Sequence, residues 1–239
     1  MLDALPSIPT LTAGNDGIDS SNDRHIGNPD RRSSDIIYTF AEQFGDSRAG
    51  VEKFISKRYT AAFGATLTNF MPRLFSLHSA KGDMVAALGL RPASQRLFLE
   101  RYLDHPIEAV LGNALGMPVE RRQIVEVGHF AGAGVGASRA MIKQMTAALF
   151  HEGFRWVAFT GTIGLRNAFY RLGLNPMDLA PADPMRLDHN ERLQWGRYYQ
   201  EMPRVQFGDI TDGFAALRHP NPHPHRPPTA NPSVRKTPQ

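Results

Sequence analysis

The sequence predicts one α/β (α+β) domain, a mixed β-sheet flanked by helices. Three observations carry that prediction. Apolar runs of strand length alternate with segments of helical period, a hairpin precedes a strand–helix–strand–helix run, and both chain ends lack hydrophobic period. Residues 35–213 are assigned to the domain, with 1–34 and 214–239 as disordered tails. The N-terminal segment is rich in Gly, Ser, Asn, Asp and Pro and cannot offset its ordering entropy. The C-terminal segment holds seven of the 18 prolines and the run HPNPHPHRPP. Its His219, His223 and His225 either bind a metal or, as exposed histidines usually do, nothing specific.

The elements follow in order. IIYTF (36–40) is a short strand. SRAGVEKFISKRYTAAFG places Val51, Phe54, Ile55, Tyr59, Ala62 and Phe63 at helical spacing, with Gly64 as the stop. RLFSLHS and MVAALGLR flank Ala80-Lys81-Gly82-Asp83 as a hairpin. QRLFLERYLD and PIEAVLGNAL read as a strand or turn leading into a short helix. QIVEVGHFA (123–131) is a strand, GAGVGAS a glycine-rich turn, and SRAMIKQMTAALFHEG a helix with Met141, Ile142, Met145, Ala148 and Leu149 on one face. WVAFT is a buried strand and GLRNAFYRLGL a short helix. LAPADPMRL reads as a Pro-rich loop, either a lid or a connection. Trp195, Tyr198 and Tyr199 either pack a C-terminal segment onto the body or cap a tunnel.

Composition excludes several functions. With no cysteine there is no disulfide scaffold, cysteine nucleophile or thiolate-bound metal, and no other metal site is expected. The net charge of +4 sits in the C-terminal tail; residues 1–34 carry −2 and residues 35–214 only +2. A nearly neutral body lacks the footprint of a nucleic-acid binder. There is no apolar run of membrane-spanning length and no basic, then apolar, export leader, so a cytoplasmic protein is expected.

The densest signal is Gly128, Gly132, Gly134 and Gly136 between a strand and a helix. Such a turn lets backbone N–H groups approach a phosphate at a helix N-terminus, with Arg139 as a bidentate partner. The alternative is a tight turn that needs glycine only for positive φ. A P-loop would need lysine, and the dinucleotide fingerprint would need an acidic residue where Thr160-Gly161-Thr162 stands, so a nicotinamide cofactor is not expected.

NFMPRLFSL, ALGLRPA, LFLERYLDHPIE, QIVEVGHFA, HEGFRWVAFTGT, RNAFYRLGL, LAPADP and WGRYY together resemble the thermostable hemolysin family, from about Val51 to Ile210. The element order further resembles the GNAT acyltransferase fold and, more distantly, the acyl-homoserine-lactone synthases. That resemblance implies an N-acyltransferase that moves an acyl group from acyl-CoA, or the acyl-phosphopantetheine of an acyl carrier protein, to a small amine, with no tightly bound cofactor. It implies a donor held by Gly132, Gly134, Gly136, Ser138 and Arg139, with Tyr170 on the helix beside the pantetheine. The tyrosine slot of many GNAT proteins falls on Phe169. Where the lactone synthases read Glu-x-Ser/Thr-Arg, this chain has Glu126-Val-Gly128-His129, so S-adenosylmethionine chemistry is not carried over.

For acyl transfer, Glu126 is the candidate base, since a carboxylate in a central strand needs a partner or a polar cleft. Its alternative is an ion pair with Arg121, Arg122 or Arg139. His129 is a second candidate base or a hydrogen-bonded core residue, and reaches the same face as Glu126 only through a strand bulge. Thr160, Thr162 and Asn167 are expected along the cleft, and the backbone at Phe130 and Ala131 as oxyanion donors. The family name gives a non-enzymatic membrane-active protein as the alternative, and a catalytically inactive CoA- or lipid-binding module is a third reading.

Overall fold

The computed structural model describes residues 38–219. The tail expected at 1–34 lies outside the described residues, as do 220–239 with His223 and His225. Seven strands form one sheet: β1 (Tyr38–Gln43), β2 (Arg73–Ser79), β3 (Met84–Pro92), β4 (Ile124–Gly132), β5 (Trp156–Gly161), β6 (Met177–Pro181) and β7 (Arg204–Asp209). Their order is β1-β2-β3-β4-β5-β7-β6, antiparallel throughout except for the parallel pair β4–β5. The helices are α1 (Gly45–Phe63), α2 (Ile107–Leu115), α3 (Val135–His151), α4 (Ile163–Tyr170), α5 (His189–Gln194) and α6 (Ile210–Arg218). This is the mixed sheet flanked by helices that the sequence predicts.

Alternation along the strands sorts the core. Ala86, Leu88 and Leu90 of β3 and Val125 of β4 pack against Ala137, Met141, Met145 and Leu149 of α3. On the opposite face Ala87 and Leu74 meet Val51, Ile55 and Tyr59 of α1, while Ile124, Ala158 and Phe207 meet Ile107 and Leu111 of α2. The expected hairpin forms, with Ser79 N–H donating to Asp83 O at 2.9 Å. Helix α1 ends at Gly64, whose left-handed φ of 68° lets its N–H close on Thr60 O.

The C-terminal third is more regular than expected. The segment read as a loop contributes β6, an edge strand, where Pro181 costs no ladder bond on its open side. β7 inserts between β5 and β6, and α6 extends through Arg218, beyond the domain edge expected at 213. The aromatic segment packs onto the body, as one of its two readings had it. Thr66 N–H donates to Gln194 O and Arg197 N–H to Phe63 O, both at 2.7 Å, and Trp195 and Tyr198 lie against Tyr59 at ring separations of 6.2 and 6.4 Å.

Gly196 makes this seam possible. Its φ is +54°, and a Cβ there would stand 2.3 Å from Phe63 O. Gly196→Ala is therefore expected to cost about 2 kcal/mol or more of stability by urea unfolding. Gly45→Ala is the control: its φ is +52° in open space, and it should cost only the backbone strain, about 1 kcal/mol.

Candidate functional site

The parallel pair β4–β5 is in register only from Ile124↔Trp156 to Val127↔Phe159. Beyond that point β4 continues beside β3 to Gly132, while β5 follows β7 to Gly161. The strands part, and the β5-facing backbone of β4 beyond Val127 has no ladder partner. A cavity of about 710 Å³ occupies the gap and opens toward both faces of the sheet, from Tyr59, Phe63 and Tyr198 on the α1 side to Met145 and Leu149 on the α3 side.

The bulge through which His129 could reach the face of Glu126 is present. Ala87 pairs with Ala131 and Gly89 with Gly128, so Leu88 faces two residues, His129 and Phe130. His129 absorbs the extra step with a left-handed φ of 53°. Its ring then packs between Tyr59 and Phe70, at 6.3 and 5.5 Å, on the face that also carries Glu126. His129 lines the cavity, and its Nδ1 is buried with no hydrogen-bond partner. Burial, reinforced by the Arg91 charge, lowers its pKa to about 4, so it is neutral at physiological pH.

Glu126 departs from both of its expected readings. It does not line the cavity, and Arg121 pairs instead with Glu100 and Glu108, and Arg122 with Glu120. Its carboxylate is 3% exposed and accepts the N–H groups of Phe98 (2.8 Å) and Leu99 (2.9 Å) at the start of a 3-10 turn, Leu99–Tyr102. A polar partner was required, and backbone amides supply it. Burial raises its pKa to about 7 against the opposing pull of those two N–H groups and of Arg91, its cross-strand neighbour.

The glycine turn divides by role. Gly128 lies within β4, where a Cβ would overlap Met71 Cε at 2.4 Å, so it makes room for packing. At Gly132 a Cβ would stand 2.2 Å from Ser138 Oγ, which closes over the turn. Gly134 faces open space and caps α3 without a side-chain bond, and a Cβ at Gly136 would meet only Tyr38 Oη, at 3.9 Å. The first amides of a 17-residue helix are thus approachable from outside, with Arg139 exposed and unpaired among the described residues. Sequence reasoning missed Arg58. Its Nη2 donates to Gly132 O at 2.6 Å, which brings a second guanidinium to the turn from α1. No motif marks it.

Phe130, Thr160 and Thr162 line the cavity, and Thr160 Oγ1 is buried without a partner. Ala131 is buried against α1 and lies off the cavity. Asn167 is exposed, and neither it nor Tyr170 reaches the cavity wall; Phe169 does, its ring tilted against Phe159 at 4.9 Å. The helical step that separates Tyr170 from Phe169 turns the hydroxyl away. Tyr59, expected only on the packed face of its helix, and Tyr198, for which packing and tunnel-capping were the two readings, both line the cavity; burial keeps their hydroxyls protonated, and Tyr198 Oη donates to Thr160 O at 3.3 Å.

The two shifted groups act oppositely on stability. Glu126, raised above its unfolded value, makes stability fall as pH rises toward 7; His129, lowered, makes it rise between about 4 and 6.5. Relative to wild type, His129→Gln should therefore show a more negative slope of unfolding free energy between about pH 5 and 6, and Glu126→Gln a more positive one, by urea titration.

Solved structures with this fold include TofI, in a ternary complex with an inhibitor and MTA (TM-score 0.50, 17% identity, 76% of this chain and 96% of that one). FeeM, an N-acyl amino acid synthase from uncultured soil microbes, matches at TM-score 0.51 and 11% identity over 76% and 94%. The AHL synthase LasI matches at 0.50 and 10% over 74% and 91%. At such identities the likeness shows the fold, which is the expected GNAT-like one. No curated protein matches the sequence. No helix among the described residues is long and apolar enough to cross a membrane. The thermostable hemolysin family profile matches residues 41–214, most of the chain, and the protein belongs to that family.

Proposed function

We propose that the protein is an N-acyltransferase that takes an acyl group from acyl-CoA or an acyl carrier protein and gives it to a small amine. The observation that carries this reading is the parting of β4 and β5 around a cavity whose rim holds the glycine turn. CoA and the carrier prosthetic group share a phosphopantetheine. Its phosphate would meet the amides of Gly134–Gly136, with Arg139 and Arg58 as counter-charges. The thioester arm would then enter between the strands, where the unpaired backbone near Phe130 offers N–H donors to the developing oxyanion.

The chemistry needs one proton acceptor. The amine nitrogen attacks the thioester carbonyl, the C–N bond forms, the C–S bond breaks, and the thiolate leaves as a thiol after taking up a proton. Neutral His129 at the cavity wall is the group that accepts the proton lost by the amine. Glu126 acts at one remove, as a positioning residue whose carboxylate holds the turn at Phe98–Leu99.

The absence of cysteine makes the test direct, because the protein contributes no thiol background. Thioesters of CoA and carrier protein are offered with an amine pool, and free thiol is followed with a reactive dye. Acceptor-dependent release is expected. His129→Gln should lower kcat about a hundredfold or more with donor KM little changed, whereas Arg139→Ala should raise donor KM about tenfold. Lysis of red cells by purified protein, with no thiol release from any donor, would reject this function in favour of a membrane-active one.

A further inference from the structure

The α3 side of the cavity bears on which acyl group is carried. Resting on the transfer reading above, we propose that the donor is a fatty acyl thioester well beyond acetyl in length, its alkyl chain lying between α3, β5 and α6. The wall there is Ile142, Met145 and Leu149 of α3, Val157 of β5, and Ile210 and Ala216 of α6. Of the polar residues nearby, Asp212 is exposed in the first turn of α6, and Thr146 and Asp209 are already engaged. Thr146 Oγ1 donates to Ile142 O at 2.8 Å; the Asp209 carboxylate accepts Thr211 N–H at 2.8 Å and pairs with Arg155 at 2.6 Å. Among the described residues, no lysine or arginine lines the cavity.

Such a wall offers no cation to the phosphate and, apart from Asp212 at its exposed edge, no free partner to the two amides of a pantetheine arm, and burying them there unpaired would be costly. An alkyl chain meets no such penalty. The volume of about 710 Å³ spans the whole gap, the space for the thioester arm included, and is of the size that takes a large ligand. Ala216, small and on the last described helix, is part of that wall, so a larger side chain there would narrow the branch.

The test is a chain-length series of acetyl-, hexanoyl-, dodecanoyl- and palmitoyl-CoA and carrier-protein thioesters, read by thiol release, with binding of the fluorescent fatty acid cis-parinarate read separately. Specificity, as kcat/KM, should rise about three- to fourfold per methylene until the branch is full. Ala216→Phe should move the optimum to a shorter chain and weaken parinarate binding; Ala216→Leu replaces it if circular dichroism shows the larger variant unfolded. Equal use of acetyl and dodecanoyl donors would overturn the inference while leaving acyl transfer standing. Parinarate binding that is weakened at Ala216, without transfer from any donor, would keep the alkyl site and reject the transfer reading. Neither binding nor transfer would reject both.

Discussion

β4 cannot keep both neighbours beyond Val127, and the site depends on that constraint. To remain paired with β3 as far as Gly132 it inserts His129 as an extra residue, and a bulge of this kind adds twist and bends the strand. The bend carries β4 away from β5, whose own partner, β7, holds it to the end. A left-handed histidine costs about 1 kcal/mol of backbone strain, which packing between Tyr59 and Phe70 offsets. The cavity, the unpaired strand edge and the exposed start of α3 all follow from one register shift.

Burial disfavours the charged form of both titratable groups on β4. Arg91 lies opposite Glu126 across the β3–β4 ladder and also acts on His129. Desolvation raises the acid and lowers the base, so the positive charge of Arg91 opposes the first shift and reinforces the second. The guanidiniums of Arg58 and Arg139 stay at the glycine turn, outside the apolar wall. A molecule with an anionic head, a thin arm and a greasy tail matches that gradient from rim to interior.

Much of this was legible in the sequence, and the reasons for the rest are physical. Elements with a single exposed face, such as α1 and α3, show their period plainly. β7 does not: Val205, Gln206 and Phe207 are all buried because β5 and β6 flank it and both faces are covered, and Gln206 stays there by donating to Asp178 at 2.6 Å. A glutamine in the middle of a short run conceals the strand. Strand alternation shows that His129 and Glu126 share a face only if a bulge intervenes, but not that the bulge forms. The partner of Glu126 could not, because backbone amides of a turn 27 residues upstream leave no mark on side-chain pattern. Arg58 was invisible for the same reason, as its contact is to a carbonyl.

The parting of the strands also separates two reactants in space. His129 and Tyr198 line the gap from the α1 side, while the apolar branch lies on the α3 side. In the proposed reaction the acyl chain and the amine need not compete for one pocket, because they approach the thioester carbon from opposite faces of the sheet. Only the reacting carbonyl must sit within the gap, where β4 has backbone groups free of the ladder. A site that passed through an intact sheet would have to break ladder bonds and bury the orphaned groups at a cost of about 1–3 kcal/mol each. Here those groups are already released by the bulge, so the cleft exists before any substrate arrives. Preorganisation of this kind lets binding energy go to orienting the thioester rather than to opening the fold.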